Sequence, residues 1–108
     1  MKRYASHFLF LQGYGYLKRQ VVEMEEGIAV RIFPLKEEVE NTEWLPGVMA
    51  LLTSEDAAMP EFGKHRKLLD AVPLEMAERL SSFTPVLFFP FDFTTMMPVS
   101  GTRHRPLR

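Results

Sequence analysis

The sequence predicts an α+β fold: an antiparallel β-meander with one or two short helices, packed in layers as a single domain over residues 1–108. Three observations carry this expectation. Glycine-containing turns at Gln12-Gly13-Tyr14-Gly15 and Glu25-Glu26-Gly27 divide the first third into three apolar segments. Pro73 precedes Met76, Leu80 and Phe83, apolar residues at helical spacing. A phenylalanine-rich run, PVLFFPFDF, occupies residues 85–93.

Each element follows from local pattern. Residues 4–11 (YASHFLFL) form a β-type apolar run, and residues 16–24 (YLKRQVVEM) a second with partial alternation. Gly27 suits the left-handed position of a three-residue hairpin loop. Residues 28–33 alternate, placing Ile28, Val30 and Ile32 on one side and Ala29, Arg31 and Phe33 on the other. Pro34 ends that strand, and residues 36–43 make an acidic connection or helical turn into Trp44-Leu45-Pro46-Gly47. A short strand is expected at residues 48–52 and an exposed loop at 53–63, which contains Ser54, Asp56, Pro60 and Gly63. Leu68, Leu69 and Val72 share a face of a predicted helix over residues 64–72, and Pro73 opens a second helix. Within residues 85–93, Pro90 predicts an edge position or a bulge. Residues 94–108 show no regular period, yet Met96, Met97, Pro98, Val99 and Leu107 offer apolar anchors for an ordered tail.

Composition excludes several function classes. With 46% hydrophobic and 25% charged residues the chain is that of an ordinary globular domain. The absence of cysteine removes disulfides, thiolate ligands and thiol catalysis, and accords with a cytoplasmic setting. The basic start Met1-Lys2-Arg3 leads into an apolar run broken by Ser6, His7 and Gln12, which predicts a strand rather than a signal peptide. No apolar window approaches the roughly 20 residues of a membrane span. The net charge of −1 is unevenly spread: residues 1–22 carry +4, residues 23–61 carry two basic against ten acidic groups, and residues 62–108 carry +3. Such a bipolar layout predicts either ordinary solvated surface or self-association.

Catalytic motifs are missing. Neither a phosphate loop of Walker type, a nucleotide-binding GxGxxG, a GxSxG elbow nor an HExxH pair is present. His7, His65 and His104 fall on three separate elements without ligand spacing, so no metal and no cofactor are expected. Gln12-Gly13-Tyr14-Gly15 has no helix pattern behind it and reads as a hairpin turn rather than an anion loop. Phe88, Phe89, Phe91 and Phe93 lack interleaved basic residues, which favours a core or dimer-facing strand over a base-stacking platform. The candidate ligand-binding residues are Asp92, Thr94, Thr95, Arg103, His104 and Arg105, with Thr102 in the same segment. Guanidinium groups beside an imidazole hold anions, and an imidazole exchanges a proton near neutral pH.

Val22-Glu23-Met24-Glu25-Glu26-Gly27-Ile28-Ala29-Val30, followed by Leu45-Pro46-Gly47-Val48-Met49-Ala50-Leu51-Leu52, resembles the N-terminal region of amidohydrolases. In that family a β-hairpin precedes an LPG-led segment carrying Asp and a His-x-His pair into a metal-binding barrel. The resemblance puts the acidic position at Ala50 and the histidine positions at Leu52 and Ser54, so it implies a site without its metal ligands. The chain as a whole also resembles small uncharacterised bacterial proteins sharing EWLPG (here residues 43–47), FDFTT (91–95) and TRHR (102–105), a likeness that implies no particular activity.

The expectation is therefore a non-enzymatic domain acting by self-association or on a protein partner, without nucleic acid or membrane. The alternative is a small ligand-binding protein or enzyme whose cleft lies between the C-terminal segment and the first hairpin.

Overall fold

The computed structural model describes residues 2–36, 40–52, 62 and 67–107. Its strands are β1 (Lys2–Leu11), β2 (Gly15–Glu25), β3 (Ile28–Pro34), β4 (Thr42–Trp44), β5 (Val48–Leu52), β6 (Thr84–Asp92) and β7 (Met97–Pro106). They join in one seven-stranded mixed sheet of order β3-β2-β1-β5-β6-β7, with β4 beside β1 ahead of β5. Among the described residues the helical elements named are α1 (Leu74–Ala77) and a 3-10 turn at Leu80–Ser82. The α+β expectation is thus overturned: the described chain is mostly β.

The first three strands form the expected antiparallel meander, with Leu9 opposite Leu17 and Val22 opposite Ile32. The sheet becomes mixed because the chain returns on the far side of β1. There β4 runs parallel to the first half of β1, with Ala5 opposite Trp44, and β5 parallel to the second half, with Phe8 opposite Val48. Antiparallel β6 then pairs with β5, and β7 with β6.

The departures have local causes. The helix predicted over 64–72 has its first three residues outside the described set, and the rest is not helical, with a bridge at Leu68 and a bend at Asp70 and Ala71. Tyr16 N–H donates to Lys67 O at 2.8 Å and Leu69 N–H donates to Tyr16 O at 2.7 Å, so the edge of β2 claims the hydrogen bonds that a helix would have used. Gly15 permits this approach, since a Cβ there would strike the Lys67 carbonyl. In β3 the clean alternation fails. Met24 pairs with Ala29 but Glu23 with Arg31, so the register slips at Val30; Ala29 and Ile32 face the core while Ile28 and Val30 are exposed. The segment without visible period is strand β7. Its alternation is hidden because Pro90 of β6 faces residues 99–102, a bulge closed by Thr102 Oγ1 donating to Pro90 O (2.6 Å) and accepting from Val99 N–H (2.8 Å). Of the loop predicted at 53–63, only Phe62 is described, and it is buried.

The sheet is apolar on both faces. On one side Leu9, Leu11, Leu17, Met49, Leu51 and Leu87 pack against Met76, Phe83 and Leu107. Met76 and Phe83 do bury as their spacing predicts, with Leu80 partly buried beside them, over two short turns instead of one helix. On the other side Phe10, Tyr16, Val48, Ala50 and Phe88 surround Phe62, whose ring lies 4.7 Å from that of Phe10 and 5.0 Å from that of Phe91. Every residue of β5 is buried, each full burial of a large aliphatic side chain contributing about 1.5–3 kcal/mol.

One charged row ties the meander together. Arg3 Nε donates to Glu23 Oε2 at 2.7 Å, Arg31 Nε donates to Glu23 Oε1 at 2.5 Å, and Arg3 also reaches Glu40 O at 3.1 Å. The Arg3 hydrogen bond holds the Glu23 carboxyl below its ordinary value; burial pushes it up, and the bond and charge of Arg31 restore the net lowering.

Two outcomes follow for stability. Gly47 has φ +97°, and a Cβ there would overlap Phe88 O, whereas Gly13 at φ +86° has open space. Gly13→Ala costs only the left-handed conformation, about 1–2 kcal/mol, and Gly47→Ala costs clearly more by urea denaturation; equal losses contradict the close β5–β6 approach. For Glu23 the folded pKa is lowered, so its stabilisation is complete above the ordinary carboxylate value and fades as pH falls through the lower folded one. Glu23→Gln therefore destabilises at neutral pH and flattens the acid limb of the stability curve below about pH 5. Parallel curves for the two proteins contradict this.

Candidate functional site: a groove between β4 and β7

Where β4 gives way to β5 the chain breaks line. Leu45 is buried and donates its N–H to Ala5 O at 2.8 Å, and the bend at Pro46-Gly47 lets β6 pass close. β4 is left without β6 as a partner, and a groove of about 700 Å³ opens between β4 and the β6–β7 pair. Glu43, Trp44, Leu45 and Pro46 line one side, Leu87 and Phe89 of β6 lie between, and Arg103, His104, Arg105 and Pro106 line the other.

Phe89, between the two sides of the groove, is 49% exposed; Trp44, 44% exposed, alternates with Leu45 and so turns its ring to the other face of β4 at the edge of the groove. Trp44 is held from behind, its ring edge-on to His7 at 4.8 Å; His7 meets Phe93 at 5.8 Å, which stacks on Phe8 at 5.6 Å. Arg103 and Arg105 pair in register with Phe89 and Leu87, while His104 pairs with Phe88 and lays its ring 5.9 Å from it. Successive residues of a strand point to opposite faces, so the two arginines share a side that His104 does not. Among the described residues, Glu43, Arg103 and Arg105 make no ion pair.

The six residues singled out in the sequence fall into two groups. Arg103, His104 and Arg105 line the groove. Asp92, Thr94 and Thr95 instead form the turn between β6 and β7: Asp92 Oδ1 accepts from Thr94 N–H at 2.8 Å and Thr95 N–H at 3.4 Å, and Oδ2 accepts the Thr95 hydroxyl at 3.0 Å. The Thr94 amide first, then the Thr95 hydroxyl, lower the Asp92 pKa. This is a carboxylate locking its own turn. Thr102, likewise, closes the bulge opposite Pro90. Arg103, His104 and Arg105 face β4 across this groove, while Pro106 and Leu107 share a second cavity of about 650 Å³ with Lys2 of β1 and Met24 and Glu25 of β2.

Comparison of the sequence with protein-family models, curated proteins and solved structures found no match.

What the groove can do is bounded by its lining. Among the described residues that line it, none carries a hydroxyl or a thiol. No three His, Asp or Glu side chains among the described residues gather as a cation site. Ala50 and Leu52, at positions where the amidohydrolase-like segment would carry ligands, are buried in the sheet; Ser54 and His65 lie outside the described residues. No helix among the described residues is long and apolar enough to cross a membrane.

Trp44 and Phe89 are groove residues that the sequence did not single out as a site. The signal was present in Trp44, the sole tryptophan, set between an acidic residue and a Pro-Gly bend. Phe89 stood in the phenylalanine run, but only the pairing register separates it from buried Phe88 and Phe91.

Proposed function

We propose that this chain is a non-enzymatic binding domain that works by associating with a second copy of itself, the β4–β7 groove being the contact surface. The observation that carries the reading is half-exposed Phe89 set in one groove between Glu43 on one side and Arg103 and Arg105 on the other, none of the three ion-paired among the described residues, with Trp44 exposed at the groove's edge. Exposed aromatic surface rimmed by polar groups is typical of protein interfaces, and tryptophan and arginine supply much of their binding energy.

The sheet edges favour contact through this face rather than by strand addition. β7 carries Pro98, Pro106, a bulge and two arginines, devices that blunt an edge. Two β7 strands paired antiparallel about His104 would set Arg103 against Arg105, like charges face to face. Nucleic acid fits less well, because two arginines opposed by Glu43 make a poor track for phosphates. The rival reading, a polar ligand site built from the C-terminal segment, loses Asp92, Thr94 and Thr95 to the turn they lock.

The test uses the protein alone. Light scattering from about 1 μM to about 1 mM, the range of modest affinities, is expected to show the mass rising from one chain to two. Emission from Trp44, the only tryptophan, shifts to the blue over the same range as its indole leaves water. A mass of one chain with unchanged emission throughout overturns the reading.

A further inference from the structure

Resting on that self-association, we infer that the contact is two-fold, with Glu43 of each copy set against Arg103 and Arg105 of the other. The groove carries its opposite charges on opposite sides: Glu43 on the β4 side, Arg103 and Arg105 on the β7 side, with Leu87 and Phe89 of β6 between them. None of the three finds an ion partner among the described residues of its own chain.

A patch with separated plus and minus sides and an apolar middle is complementary to itself. In a two-fold interface each residue meets its counterpart's partner, so rotation about an axis over the Phe89 floor lays each acidic side on the other copy's arginines. Phe89 is then covered, with Trp44 at the rim of the contact, and desolvation around it strengthens the charge pairs. A partner of a single sign fits worse: an acidic peptide meets Glu43, and a basic one meets both arginines. Charge complementarity within the patch thus selects a second copy of this chain.

Charge reversal tests the pairing. Glu43→Arg makes all three positions basic, and the double variant Arg103→Glu, Arg105→Glu makes all three acidic. All three residues are exposed, so the reversals leave the fold intact, which an unchanged melting temperature confirms. Each variant alone is expected to dimerise at least about tenfold more weakly than the native chain, since like charges then oppose one another. Mixed in equal amounts, the two regain native-like affinity as a heterodimer, because every contact again joins opposite signs, and the gain shrinks in high salt. If the native chain dimerises but the variants dimerise equally well, or if the mixture stays monomeric, this pairing is wrong while self-association stands. If the native chain is a monomer at every concentration, both readings fall.

Discussion

The constraint from which the rest of the structure follows is the place of β5. It lies parallel to β1 and antiparallel to β6, and all five of its residues are buried. A strand that shows no face to water needs apolar cover above and below. Met49 and Leu51 find it in the layer of Met76, Phe83 and Leu107, and Val48, Ala50 and Leu52 find it in the cluster around Phe62. The close approach of β6 at Gly47, and the return of the C-terminal chain until Leu107 is sealed in the core, serve this same need.

With β5 buried on both faces, charged side chains gather away from it. In one place charges are paired within the chain, as Arg3, Glu23 and Arg31 cross three strands in a row. In the other they are left open, where the bend after Trp44 parts β4 from β6 and exposes aromatic surface between charges of opposite sign. The first arrangement closes the fold on itself. The second leaves it something to bind with, and it arises because the bend that lets β6 approach β5 also strips β4 of a neighbour.

How much of this was legible in the sequence depends on how local each signal is. The meander is written in Gly13, Gly15 and Gly27, whose turns act over a few residues. The non-helical course of residues 67–72 is not, because Leu68, Leu69 and Val72 have helical spacing and it is the backbone of Tyr16, far away in sequence, that bonds Lys67 and Leu69. Strand β7 was hidden by Pro98, Gly101 and a bulge that interrupts its alternation. The site was half legible. Arg103, His104 and Arg105 stand out as a cluster, but Asp92 with Thr94 and Thr95 has the same look for a different reason, a carboxylate capping its own turn. Trp44 and Glu43 join the arginines only through the parallel pairing of β4 with β1, which no local pattern announces.

The centrality of β5 is most directly measured by native-state hydrogen exchange. Amides exchange slowest where no partial opening frees them. The account predicts that Met49, Ala50 and Leu51, together with their β1 neighbours Leu9 and Phe10, exchange only through global unfolding, while Arg103 and Arg105 on the edge strand exchange sooner. Amides of β5 that exchange as fast as those of β7 would contradict it.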